Sequence, residues 1–204
     1  MFAYCYREEQ GNFLPSLTRF VHKVTHIDQH KVSQFVRPFN EDGRTFIRRA
    51  ADDVLAASQR GEGATIAPKR VSRSKAAPVA PEATVVPLPP TISHFVMNLP
   101  ASAITFLDCF RGLYAGHEDL FKGGERKLPL VHVHCFALKS DDDVPLLDIA
   151  ERVSKELGVA MRHGDNLETE GVVAIHDVRD VAPAKRMFCA TFRLPAEVAF
   201  APRP

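Results

Sequence analysis

The stretch His94-Phe95-Val96-Met97-Asn98-Leu99-Pro100 constrains the fold of this chain more than any other. Phe95, Val96 and Met97 read as a strand apolar on both faces, the pattern of a parallel strand covered by helices. Pro100 has no N–H for a sheet ladder and disfavours helix at Leu99, so the strand must end there. A helical pattern follows at once over 101–114, with Ala103, Ile104, Leu107, Phe110 and Leu113 on one stripe. In open α/β sheets, ligands bind at the carboxyl ends of strands, and Asn98 stands at such an end. Two readings of Asn98 are open: an amide presented to a planar ligand, or a cap for the helix that follows.

The same grammar recurs along the chain. Residues 32–39 read as a strand, and Asp42-Gly43 then opens a helix with Phe46, Ile47, Ala50, Val54 and Leu55 on one stripe, stopped near Gly61. Asp42 is either a turn and cap residue or a carboxylate presented to a ligand. Residues 128–138 alternate, with Val131, Val133 and Cys135 on one face and His132, His134 and Phe136 on the other. Asp141 to Asp143 followed by Pro145 starts a helix whose stripe is Leu146, Ile149, Val153 and Leu157, ending at Gly158. Residues 171–178 and 187–194 read as strands, and the short connection 179–186 demands an antiparallel pair. The fold class expected is α/β, a mainly parallel sheet closed by a C-terminal antiparallel hairpin.

Composition narrows the function classes. The net charge of +1 lacks the basic excess of a self-sufficient nucleic-acid binder, so RNA contacts need local clusters or further parts. Cys5, Cys109, Cys135 and Cys189 are scattered and read as reduced thiols of an intracellular protein. The first residues hold no apolar core of a secretory signal, and no apolar run is long enough to span a bilayer. His22, His26 and His30 fall on one helical face, but no further ligand type completes a metal site. The pair His132 and His134 similarly lacks a third ligand and reads as packing or hydrogen-bonding. Residues 1–30 stay unassigned. Residues 61–90 hold six of the fifteen prolines and no periodicity, so they read as a disordered insertion within one domain over 31–201.

Four stretches, in order, carry a resemblance: 39–48, the Met97-Asn98-Leu99-Pro100-Ala101 run with its helix, 131–136, and 178–188. Together they resemble the tRNA (guanine-N1)-methyltransferases that modify the purine just 3′ of the anticodon, guanosine 37, most of all the fungal branch. The resemblance covers residues 31–200 and implies a partial Rossmann-like class I methyltransferase sheet. It implies S-adenosyl-L-methionine as cofactor and tRNA as partner. Asn98 and Pro100 are then the catalytic residues. Asp42 and Gly43 hold the adenosine, with Asn98 also near the methyl donor, and no metal is implied. A monomer at full length, without membrane attachment, in the cytoplasm, nucleus or mitochondrial matrix, is expected.

Several parts of that family's pattern find no match: the glycine-rich cofactor loop, the acid that grips the ribose, the general base, a catalytic arginine and an N-terminal tRNA-reading domain. The chain therefore looks like the C-terminal part of the catalytic domain. Three rivals remain. One is a wybutosine-pathway tRNA transferase of the same fold, against which the Asn98-Leu99-Pro100 wording speaks. The others are a non-catalytic fragment or interaction module, and a histidine-based metalloprotein.

Overall fold

The computed structural model describes residues 2–5, 35–66, 83–138 and 142–204. The histidines at 22, 26 and 30 lie outside the described residues, as do 32–34 of the expected first strand. The chain divides into two compact units, one of residues 1–46 with 52–90, the other of 47–51 with 91–204.

In the first unit, β1 (Phe2–Cys5) pairs in parallel with β2 (Val36–Phe39). Helix α1 (Gly43–Gln59) starts where Asp42 is read to open it, and its Oδ1 accepts from Arg44 N at 3.0 Å and Thr45 N at 3.2 Å. Such a cap satisfies donors that have no partner inside the first turn. The helix stops at Arg60, where Gly61 takes φ 72°, a left-handed conformation that suits glycine. The disordered insertion is corrected at both its ends. There β3 (Gly63–Ile66) and β4 (Thr84–Pro87) form an antiparallel ribbon, with 67–82 outside the described residues. Backbone pairing overrides the proline-rich composition because Pro87 ends the strand, a position that needs no N–H in the ladder's interior. Glu62 fastens the ribbon by ion pairs to Arg37 and Arg60, which hold its carboxyl below the usual range.

The second unit is built on five strands: β5 (His94–Met97), β6 (Leu130–Leu138), β7 (Arg162–His163), β8 (Val172–Ala182) and β9 (Lys185–Arg193). Their order is β5-β6-β9-β8-β7. The pairs β5-β6 and β7-β8 are parallel, while β6-β9 and β8-β9 are antiparallel. The sheet is therefore mixed, where a mainly parallel one is expected from sequence. The C-terminal hairpin is present and longer than its pattern suggests, because pairing runs on to a two-residue turn at Pro183-Ala184 through two register shifts.

One face of this sheet forms the core. Val131, Val133, Ala190 and Phe192 are fully buried, and Phe95 meets Phe110 edge to face at 4.9 Å. A 3₁₀ segment (Ala103–Phe110) and helix α2 (Val144–Leu157) pack on β6 and on each other. All five residues of the stripe expected over 101–114 are buried, and so are Phe106 and Cys109. Burial on so much of its circumference leaves tertiary packing, rather than one amphipathic face, to set the tighter winding. Strand β5 corrects the other expectation: Phe95 is buried but Val96 is 68% exposed, so the strand is not apolar-covered on both faces. It sits at an edge of the sheet. α2 ends on Gly158 at φ 72°, the residue expected to stop it.

A second 3₁₀ segment (Glu118–Phe121) and a single-turn helix α3 (Ala196–Ala199) complete this unit. Gly112 N and Tyr114 N donate to Val198 O and Ala199 O, each at 2.9 Å, which stitches the C-terminal segment to the core. A Cβ at Gly112 would lie 2.9 Å from both Ala201 O and Arg203 Cα, whereas one at Gly116 meets nothing within 4 Å. Both glycines have positive φ. Gly116→Ala is thus expected to cost about 1 kcal/mol for left-handed backbone alone, and Gly112→Ala clearly more, because backbone must also shift. Urea unfolding of the two variants checks this, and equal losses would refute the close approach.

Candidate functional site

Asn98 follows directly on β5 and begins a tight turn. Leu99 O accepts from Ser102 N at 2.9 Å and from Ala103 N at 2.7 Å. The Asn98 side chain is exposed and makes no hydrogen bond among the described residues. Ser102, not Asn98, occupies the cap position of the 3₁₀ segment. Of the two readings open in the sequence, the cap is therefore not what the geometry displays. The amide is left facing solvent at the carboxyl end of a parallel strand.

The turn is held from behind. Pro100 O accepts from Phe136 N at 3.2 Å, and Phe136 O accepts from Arg152 Nη2 at 3.0 Å. Arg152 Nε lies 3.0 Å from Asp148 Oδ2 one helical turn away, off the hydrogen-bond axis and so an ion pair only. The guanidinium of α2 thereby anchors the peptide that anchors Pro100. Sequence reasoning missed Arg152, since its position off the apolar stripe marks it as an ordinary solvated residue. Beside the turn opens a surface cleft of about 180 Å3, lined by Pro100, Ser102 and Thr105 on one side and Arg152, Lys155 and Glu156 on the other.

The other sequence-derived residues fall elsewhere. Asp42 and Gly43 open α1 in the first unit, and both capping bonds of Asp42 use Oδ1. His132 and His134 point to the face of β6 opposite Val131 and Val133. His132 Nε2 is 2.9 Å from His94 Nδ1, the rings stacked at 5.2 Å, and His132 Nδ1 is 2.9 Å from Thr191 Oγ1. Burial, then the neighbouring His94 and His134, hold the His132 pKa below its ordinary value. His134 Nδ1 is buried without a hydrogen-bond partner among the described residues. No group of three or more metal-ligating side chains occurs among the described residues. Cys109, Cys135 and Cys189 form no disulfide among the described residues, and burial pushes the Cys135 thiol up to about 11. No helix among the described residues is long and apolar enough to cross a membrane.

Known proteins match this chain over most of its length. A Neurospora crassa protein named tRNA (guanine(37)-N(1))-methyltransferase is 65% identical over 178 residues, covering 87% of this chain and 37% of the relative. A protein of the same name from Fusarium vanettenii is 65% identical over 178 residues, 87% of this chain and 38% of its own length. One from Schizosaccharomyces pombe is 42% identical over 179 residues, again 87% of this chain and 38% of the relative. The chain thus spans under two-fifths of the length of these curated relatives. No family model and no solved structure matches it.

Because the Asn98 amide carries no structural bond, Asn98→Ala is expected to change unfolding free energy by less than about 0.5 kcal/mol. Asp42→Ala removes a helix cap and is expected to cost about 1 kcal/mol. Urea titrations of both variants and the parent measure the contrast; a large loss for Asn98→Ala would make the amide structural.

Proposed function

We propose that this chain, a homologue of part of the tRNA (guanine(37)-N(1))-methyltransferases, is the C-terminal part of such an enzyme's catalytic domain and takes part in methylating N1 of guanosine 37 in tRNA. The observation that carries this reading is the 65% identity over 87% of the chain to proteins of that printed name. The geometry supports it: a free amide stands on a pinned turn where α/β sheets bind ligands. A parallel pair continued into an antiparallel hairpin supports reading the five strands as part of a Rossmann-like sheet.

The reaction forms a bond from guanine N1 to a methyl carbon while that carbon leaves sulfur, and N1 gives up its proton. When bound, S-adenosyl-L-methionine supplies the electrophilic methyl group. Asn98 orients the guanine edge or the donor through its amide. Pro100 holds the turn so that the amide is already positioned, which lowers the entropic part of the barrier. Asp42 fits the adenine amino group, since its two capping bonds fall on Oδ1 and a carboxylate has a second oxygen to offer. The N1 proton passes to a general base other than Asn98, Pro100 and Asp42. The compartment follows the substrate: cytoplasm, nucleus or mitochondrial matrix.

A second reading, a segment that does not act by itself, is favoured by the absence of a glycine-rich cofactor loop from the sequence pattern. Of three expected grips on the cofactor, only that on the adenine is recognised. Loss of two sets of charge-assisted hydrogen bonds at about 1.5–3 kcal/mol each moves a micromolar ligand to a Kd of about 0.2 to 25 mM. The 204-residue chain is therefore expected to bind S-adenosyl-L-methionine weakly and to leave tRNA unmethylated. Calorimetric titration checks the first point, and micromolar binding would reveal a grip that residues 1–30 supply.

The function itself is tested on the chain extended to the length of its relatives, with tRNA transcripts carrying guanosine or adenosine at position 37. Methyl transfer to guanosine only, lowered at least tenfold by Asn98→Ala with unchanged melting, is expected. Transfer of another group, or full turnover in Asn98→Ala, would overturn the assignment.

A further inference from the structure

The cleft beside the Asn98 turn displays groups that neither the packing nor the chemistry above uses. Lys155 is exposed and makes no ion pair among the described residues. Arg152 engages Phe136 O through Nη2 and Asp148 through Nε, while Nη1 makes no bond among the described residues. The Ser102 hydroxyl and the Glu156 carboxylate also make none there. At about 180 Å3 the cleft is an order of magnitude larger than the ~15 Å3 that admits one water.

The lining is not simply cationic. Two cations share it with one carboxylate and the hydroxyls of Ser102 and Thr105, so the ligand that fits presents an anion and a hydrogen-bond donor a short distance apart. In a free phosphate any donor is a P–OH on the anion itself, not a separate group a short distance away. A ribonucleotide within a strand meets both, through its phosphodiester and its 2′-hydroxyl. Pro100, two residues after Asn98, lines the cleft.

We propose that this cleft, given the RNA reading above as premise, seats one ribonucleotide of the substrate strand that flanks the modified guanosine. Lys155 Nζ and Arg152 Nη1 hold the phosphate oxygens, and charge assistance strengthens both bonds. Glu156 accepts from the ribose 2′-hydroxyl, and Ser102 Oγ bonds the remaining sugar or phosphate oxygen. Arg152 then serves two ends at once: its Nη2 secures the turn and its Nη1 meets the strand that the turn acts on.

Fluorescence anisotropy of this chain with a labelled anticodon stem-loop, as RNA and as its 2′-deoxy counterpart, tests the subsite across a salt series. Lys155→Gln is expected to weaken both probes about 3- to 10-fold and to reduce the log–log salt slope by about one, with Lys155→Arg restoring most of the loss. Glu156→Gln is expected to narrow the preference for RNA over DNA and leave the slope unchanged. Lys122→Gln, at a lysine paired with Asp119, should do neither. Absence of stem-loop binding, losses with Lys122→Gln equal to those with Lys155→Gln, or no effect of either cleft variant would overturn the proposal. A stem-loop with adenosine at the modified position separates the two ideas, because contacts to the neighbouring ribose and phosphate do not read that base. Cleft-variant losses that persist on both stem-loops while the full-length form transfers no methyl group leave the subsite standing and remove the function. Guanosine-specific methylation that is indifferent to Lys155 and Glu156 removes the subsite and leaves the function.

Discussion

The peptide of Phe136 is where the second unit is joined together. Its N–H reaches Pro100 O and its C=O takes the Arg152 guanidinium, while β6 around it pairs with β5 on one side and β9 on the other. A proline offers no N–H, so the carbonyl is the one backbone hydrogen-bonding group through which Pro100 can be fastened. Without that bond the turn after β5 would be held only by its own 2.7–2.9 Å contacts to Ser102 and Ala103. The bond therefore ties the turn that carries Asn98 to β6, a strand paired on both sides. An unbonded side chain holds a fixed position only when the backbone beneath it does not wander.

That rigidity has its source in the packing on one face of the sheet. Val131 and Val133 are fully buried, Phe110 sits edge-on to Phe95, and α2 lays Ile149, Val153 and Leu157 inward. Truncating a buried aromatic such as Phe110 typically costs about 3–5 kcal/mol, a large share of the stability of a small domain. The opposite face is polar at its centre, where both ring nitrogens of His132 are engaged, one with His94 and one with Thr191. Burial, and then the neighbouring His94 and His134, hold the His132 pKa below its ordinary value on this face.

The candidate site was only partly legible. Asn98-Leu99-Pro100 stood out because a proline after an apolar run has a physical meaning at any position in any fold. Asp42-Gly43 stood out for the same kind of reason, and the carboxylate does cap α1 as its chemistry allows. Arg152, Lys155 and Glu156 gave no such signal. On a helix of fourteen residues they read as ordinary solvated charges, and only the approach of the Pro100–Thr105 segment makes them one wall of a cleft.

What the sequence by itself determined lies within a few bonds of the residue responsible. Pro100 ended β5 because it lacks a donor, Gly158 ended α2 because it accepts φ 72°, and alternation put Val131 and Val133 together on the buried face of β6. What the tertiary structure decided depends on residues far apart in the chain. β9 enters between β6 and β8 and makes the sheet mixed, a choice written in pairing energies across some fifty residues of separation. In the 103–110 segment six of eight residues are buried, and on the edge strand β5 Val96 is left exposed. Local sterics and backbone donors act on the residue that carries them, whereas burial and strand partners are properties of what the rest of the chain brings alongside.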